Sequence, residues 1–255
     1  MIITYTNVLK GVIPSVVVGA GTDLPQNLTN DDFSTTYEAS SPNSMQVSFG
    51  STGTINYFAC AGIELASPDT TNAFIRVFDG PESSANLVAS VEFNRNRPVV
   101  VTFEARSFTD LRVKFESRIG NPLVTYCAAG MSFEVPNNGE NAGYSRAPYR
   151  RGVKQRTTVN SIAAPISTLS KAVPLKGSLS LSNMKNDFTF GVWQDFLDFA
   201  AAGNYWFVQE RASESDLSNN SAYMCYNLKG NDVKAHPQTR TLNNINATWD
   251  VFNGL

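Results

Sequence analysis

The sequence predicts a mainly β chain in two parts: a jelly-roll β-sandwich over residues 1–136 and a mixed strand-and-helix unit over 166–255. Three observations predict it. Short β-rich runs follow one another from residue 44 to 135. The stretch 137–165 then turns rich in Asn, Gly, Pro and Arg, and a single amphipathic helical segment stands among further strand-like runs after it.

The first runs are MQVSF (45–49), INYFACAGIEL (55–65) and AFIRVFDG (73–80). LVASVEF (87–93), RPVVVTFEA (97–105), LRVKFES (111–117) and VTYCAAGMSFEV (124–135) continue the series. Most alternate apolar and polar residues, the mark of a strand with one face in a core, and each is bounded by Asn, Asp, Gly or Pro. INYFACAGIEL is more continuously apolar and so more deeply buried. Strands at this spacing close a core by packing two antiparallel sheets face to face, which makes a jelly roll the expected architecture. The segment 137–165 reads as an extended linker or arm. Five of the 20 basic residues, Arg146, Arg150, Arg151, Lys154 and Arg156, make it locally cationic, fit either to be ordered by a neighbouring chain or to remain a solvated connection.

Beyond the arm, NDFTFGVWQDFLDFAAAG (186–203) carries Phe188, Val192 and Phe196 at helical spacing, with Trp193 widening the apolar face, so these four are the expected core anchors. Asn186 or Asp187 is placed to cap its start and Gly203 to end it. Strand-like runs surround it: VPLKGSLSLSN (173–183), NYWFVQER (204–211), SAYMCYNLKG (221–230) and TLNNINATWDVF (241–252).

With 42% hydrophobic and 16% charged residues among 255, the chain has ample material for a core. A net charge of −2 excludes nucleic-acid binding by a general positive field. No apolar run approaches the ~20 residues of a membrane-spanning helix. The first twenty residues, with Lys10 inside them, read poorly as a signal peptide, so synthesis and retention in a cytoplasm is the expectation. Cys60, Cys127 and Cys225 form no CxxC pair or metal-ligand spacing and are expected to be buried thiols. Enzymatic motifs are missing as well. The one histidine, His236, precedes Pro237 in a polar stretch, and no GxGxxG, P-loop or HExxH occurs. Two carboxylates could still meet from distant loops, but the expectation is a protein without catalysis.

Residues 28–65 resemble the opening of the discoidin or galactose-binding-like family. Asn30, Asp31 and Asp32 stand in its acidic turn and Thr36, Tyr37 and Glu38 in the position of its Thr-Tyr-Trp. Ser48, Phe49 and Gly50 match a strand end, and 56–65 the strand that follows. Residues 97–117, with Arg112 and Phe115, resemble its late Arg-rich strand. The resemblance covers roughly residues 5–135 and implies a jelly roll that permits carbohydrate binding. It also implies a Ca²⁺ ion held in part by Asn30, Asp31 and Asp32, for which the alternative is an Asx-rich turn that caps its own backbone. The Trp of the family's turn is replaced here by Tyr37.

The continuation of this domain looks like that of tailed-phage minor tail proteins. Gly130, Met131, Phe133, Val135 and Pro136 match the end of the galactose-binding-like domain in that group. The helix, its aromatic strand and the Tyr-Met-Cys-Tyr strand resemble the distal-tail and tail-tube fold, a β-sandwich flanked by one helix. This resemblance implies a homo-oligomeric ring at the tail tip of a virion, touching tube, hub and fibre proteins, with the jelly roll outward for fibres or a host-surface glycan. A collar or tail-terminator protein, or a carbohydrate-binding adhesin, is the alternative.

Overall fold

A computed structural model describes residues 1–66, 72–93, 96–117, 119–136, 152–159, 165–173, 175–209, 222–235 and 241–252. In the first half the strands are β1 (Ile2–Thr4), β2 (Ser15–Val18), β3 (Tyr37–Glu38), β4 (Ser44–Ser48), β5 (Thr52–Glu64) and β6 (Ala73–Asp79). They continue as β7 (Leu87–Phe93), β8 (Val99–Phe108), β9 (Leu111–Glu116), β10 (Leu123–Gly130) and β11 (Ser132–Glu134). Next come β12 (Gly152–Val159), β13 (Pro165–Val173), β14 (Leu175–Lys185), helices α1 (Asn186–Phe190) and α2 (Val192–Ala201), β15 (Trp206–Gln209), β16 (Ala222–Ala235) and β17 (Leu242–Phe252). The protein is mainly β, built of several antiparallel sheets with one interrupted helical segment.

The chain divides into two compact units, one of residues 1–135 with 194–224, the other of 136–193 with 225–252. The sequence suggests instead a linear division with an arm over 137–165. The first unit takes back the later segment because β15 pairs antiparallel with β1, Ile2 opposite Gln209 and Ile3 opposite Val208, while β11 pairs on the other side of β1. Within the expected arm, β12 pairs antiparallel with β13.

In the first unit a five-stranded sheet, β2-β4-β9-β6-β7, faces a four-stranded sheet, β3-β10-β5-β8. Their facing side chains make one buried cluster. Met45, Val47, Ile75, Val77, Leu111, Val113 and Phe115 come from one sheet, and Ile55, Phe58, Cys60, Val99, Val101, Val124 and Cys127 from the other. The alternation of β9, Leu111, Val113 and Phe115 in and Arg112, Lys114 and Glu116 out, is the period of two written in LRVKFE. β5 and β10 are buried on both faces. Their outer face is covered by the chain's own N-terminal segment and by residues 205–207. Tyr57 donates to the Thr6 carbonyl, Tyr126 stacks on Phe207 with centroids 6.4 Å apart, and Tyr205 meets Tyr126 edge-on at 5.9 Å. VTYCAAGMSFEV, expected as one strand, is two. A Cβ at Gly130 would overlap Thr6, and the chain there leaves β5, pairing Gly130 with Tyr57 but Ser132 with Thr4.

In the second unit β14 and β17 pair antiparallel with a bulge between Leu181 and Met184, and β16 lies on the other side of β17. Leu175, Leu179, Leu181, Met184, Ile245, Ala247, Trp249 and Val251 are buried by the same alternation. Gly177 sits opposite Trp249, whose indole covers it so closely that a Cβ would stand 2.9 Å from ring carbon Cε2. The expected single helix over 186–203, whose residues from 194 on belong to the first unit, is broken at Gly191 (φ −104°, ψ −109°). Neither Asn186 nor Asp187 caps its start: Lys185 is the capping residue and makes no side-chain cap bond. Asp187 lies in the first turn, where its charge favours the helix dipole, and Asn186 instead accepts a 2.8 Å bond from Asn243 through Oδ1. Gly203, at φ +79°, follows the last turn. Trp193 and Phe196 are fully buried, whereas Phe188 and Val192 are half-buried.

Candidate functional site

The acidic turn follows a short 3-10 turn over Pro25–Leu28. Asn30 Oδ1 accepts the Asp32 amide at 3.2 Å. Asp32 Oδ1 accepts the Ser34 amide at 2.9 Å and its hydroxyl at 2.6 Å, and Thr35 Oγ1 donates to the Asp32 carbonyl at 2.9 Å. These are the bonds of an Asx-rich turn capping its own backbone. The Ser34 hydroxyl, then its amide, hold the Asp32 carboxyl below the usual range. Asp31 turns to a different partner, Lys10 Nζ at 2.7 Å. Among the described residues no group of three His, Cys, Asp or Glu side chains is arranged to share a metal ion. Tyr37, in the family's Tyr-Trp position, is a core residue whose hydroxyl accepts the Gly21 amide at 2.7 Å.

Of the arm, Arg146, Arg150 and Arg151 lie outside the described residues, as does His236. Lys154 and Arg156 fall in β12, paired with Lys171 and Leu169 of β13.

Among the described residues a hollow of about 500 Å³ lies on the outer face of the five-stranded sheet. Arg76 and Phe78 of β6, Glu82, Ser83 and Ser84 of the following turn and Leu87 of β7 line it. The turn is held in place by its own bonds: the Gly80 amide donates to the Asp110 carbonyl at 2.8 Å, the Asn86 side-chain amide to the Pro81 carbonyl at 2.7 Å, and the Asp79 amide to the Asn86 carbonyl at 2.9 Å. Gly80, at φ +97°, takes a backbone conformation that a larger residue would resist. Beneath the hollow runs a chain of ion pairs. Arg76 Nη1 meets Glu116 Oε1 at 3.0 Å, Lys114 Nζ meets the same oxygen at 3.1 Å, and Lys114 Nζ meets Glu82 Oε1 at 2.7 Å. Burial pushes the Lys114 ammonium down, but Glu82 and Glu116 outweigh it and leave it above its ordinary value. The Arg76 guanidinium also lies over the Phe74 ring, 5.2 Å from its centroid. Two cations and two carboxylates thus balance, each oriented by another, beside a Leu87 side chain that is 43% exposed.

A smaller hollow of about 240 Å³ is lined by Gly21, Thr22, Asp23, Glu38, Ser40 and Asn121. Within it the Asp23 carboxylate accepts the Glu38 amide at 2.9 Å, and the Ser40 hydroxyl donates to the Ala20 carbonyl.

The Arg76 hollow was not among the expected sites. Alternation in AFIRVFDG places Phe74 and Arg76 on the outer face, and the following Gly80-Pro81 marks a turn. Nothing local brings Lys114 and Glu116 of β9 beneath them: that depends on the register in which Arg76 faces Lys114 and Phe74 faces Glu116.

No described protein family and no curated protein matches the chain. Among solved structures it is similar to chitosan-binding module 1 of a chitosanase/glucanase from Paenibacillus sp. IK-5, at 14% identity and a TM-score of 0.38, covering 49% of this chain and 98% of that one. The CBM32 of AlyQ, in complex with 4,5-unsaturated mannuronic acid, matches at 20% identity and a TM-score of 0.35, covering 51% and 98%. A GH29 fucosidase of Ruminococcus gnavus in complex with fucose matches at 14% identity and a TM-score of 0.38; the match covers 51% of this chain but only 27% of that enzyme's length.

Proposed function

We propose that the first unit is a carbohydrate-binding module without catalysis, and that its sugar lies in the hollow lined by Arg76, Glu82, Ser83, Ser84 and Leu87. The observation that carries this is the combination of shape and chemistry there: a concavity of about 500 Å³ with planar, pre-oriented polar groups beside an apolar patch. A guanidinium and a carboxylate offer paired donors and acceptors to neighbouring sugar hydroxyls, serine hydroxyls add adaptable bonds, and an aliphatic surface suits the C–H face of a pyranose. The jelly-roll resemblance of residues 28–65 and 97–117 supports the same reading. Calorimetric titration of the full chain with neutral sugars selected on a glycan array tests it. Arg76→Ala and Glu82→Gln should each weaken binding about tenfold, roughly 1.4 kcal/mol, at unchanged melting temperature. No sugar bound, or binding indifferent to both substitutions, overturns it.

A second reading, self-assembly as a ring-forming tail-tip component of a phage virion, is favoured by the β12–β13 hairpin. Among the described residues it forms a sheet of its own, with neither outer edge paired. A lone two-stranded hairpin is marginal in water, and its open edges offer backbone donors and acceptors to a neighbouring chain. In such a ring the hairpin, with Lys154 and Arg156, clasps the next subunit while the jelly roll projects outward to a host glycan or fibre. Mass photometry with negative-stain microscopy decides: closed rings support this reading, and a strict monomer at all concentrations removes it while leaving sugar binding to its own test.

A further inference from the structure

Cys60 in β5 and Cys127 in β10 stand directly opposite one another in the antiparallel register of the four-stranded sheet. Residues so paired project from the same face, and here that face is the sandwich core, where both side chains are fully buried in one cluster. Directly opposed residues of an antiparallel pair have Cα atoms about 4.5–5.5 Å apart, inside the ~4.4–6.8 Å range of disulfides. Both are free thiols in the structure described. Cys225, in the second unit, is buried as well.

We propose that Cys60 and Cys127 form a covalent modification site: a cross-strand disulfide that closes when the chain folds in oxidising surroundings and joins β5 to β10 through the core. With a glutathione-type disulfide as oxidant, one protein thiolate attacks its S–S bond, forming a mixed disulfide and releasing one glutathione thiolate, which takes a proton. The second protein thiolate attacks the protein sulfur of that mixed disulfide and releases the other glutathione. Two protein thiols lose two electrons and two protons, and one glutathione disulfide becomes two glutathione thiols. Burial pushes both thiols up, Cys127 further through its nearness to Cys60, and neither is exposed. The reaction is therefore slow in the folded state and fast while the core is still forming. Once closed, the bond is shielded from reductant in the same way.

The test is refolding of the full chain from guanidinium, in parallel, in a glutathione redox buffer and in excess dithiothreitol. Denaturing alkylation and peptide mapping by mass spectrometry follow. The proposal expects a single alkylated cysteine, Cys225, in the oxidised sample against three in the reduced one, a cross-linked peptide pair containing residues 60 and 127, and a raised melting temperature that dithiothreitol reverses after unfolding. Cys225→Ala should keep the link and leave no alkylated cysteine, whereas Cys127→Ala should lose it. Should Cys127→Ala not fold, the Cys225→Ala variant and the reduced wild type still decide. Three alkylated cysteines in oxidatively refolded, spectroscopically native protein, or a link through Cys225, overturns the proposal.

Discussion

Truncating Phe196 to alanine is the sharpest test of how the helical segment is held. The ring is fully buried on α2, edge-on to Trp206 with centroids 5.5 Å apart and to Phe133 at 6.2 Å. Removing a buried phenylalanine costs about 3–5 kcal/mol, the lost transfer energy plus the cavity left behind. Alanine's better helix propensity returns only about 0.5 kcal/mol. The net loss of roughly 2.5–4.5 kcal/mol lowers the melting temperature by about 5–18 °C at the ~2–4 °C per kcal/mol of a unit this size. Phe190 is the internal control: it ends α1, is 66% exposed, and its truncation should change stability by less than about 0.5 kcal/mol. Thermal and guanidinium unfolding, followed by far-ultraviolet dichroism and by tryptophan fluorescence, reads both. Equal melting of Phe196→Ala and wild type, or equal losses for the two variants, would refute the packing described.

Asp79 should make stability pH-dependent. Burial pushes its carboxyl up, but the Thr109 hydroxyl and amide, both at 2.9 Å, the Asp110 amide and Arg106 at 3.0 Å outweigh that and hold it below the usual range. A folded-state carboxyl that titrates below its unfolded value stabilises fully above about pH 4 and loses that contribution as pH falls through the lower folded value. Asp79→Asn should therefore cost about 1–2 kcal/mol at neutral pH and progressively less below pH 4; an unchanged acid-unfolding profile contradicts this. Gly62, near the end of β5, has φ +60°, and a Cβ there would stand 2.6 Å from Cβ of buried Thr125. Gly62→Ala combines left-handed strain of about 1–2 kcal/mol with overpacking of about 1–3 kcal/mol. Chemical denaturation should show a loss of at least 2 kcal/mol, and a neutral result would mean that the strand is not built around glycine.

Much of the architecture is written locally. LRVKFE and AFIRVFD alternate because each lies with one face in the core, INYFACAGIEL runs continuously apolar because both its faces are covered, and VWQDFLDFAA repeats at helical spacing because Trp193, Phe196, Leu197 and Ala200 share a buried side. Burial imposes its period on neighbouring residues, so the elements were legible and their order sufficed for a sandwich. The acidic turn was legible as a turn for the same reason: its Asx bonds reach only two or three residues along the chain. Partner choice has no such local imprint. Nothing in IIT announces that Ile3 pairs with Phe133 on one side and Val208 on the other. The polar GVKQRTTV carries no apolar period and so read as an arm, although its backbone pairs with β13, and the helix broke at Gly191 although its apolar spacing ran on. The Arg76 hollow and the Cys60–Cys127 pair belong with these. Each is made by cross-strand register, which brings Lys114 and Glu116 beneath Arg76 and sets two cysteines far apart in the chain face to face. Register is settled by the packing of whole sheets, so only the folded chain decided which of its residues meet.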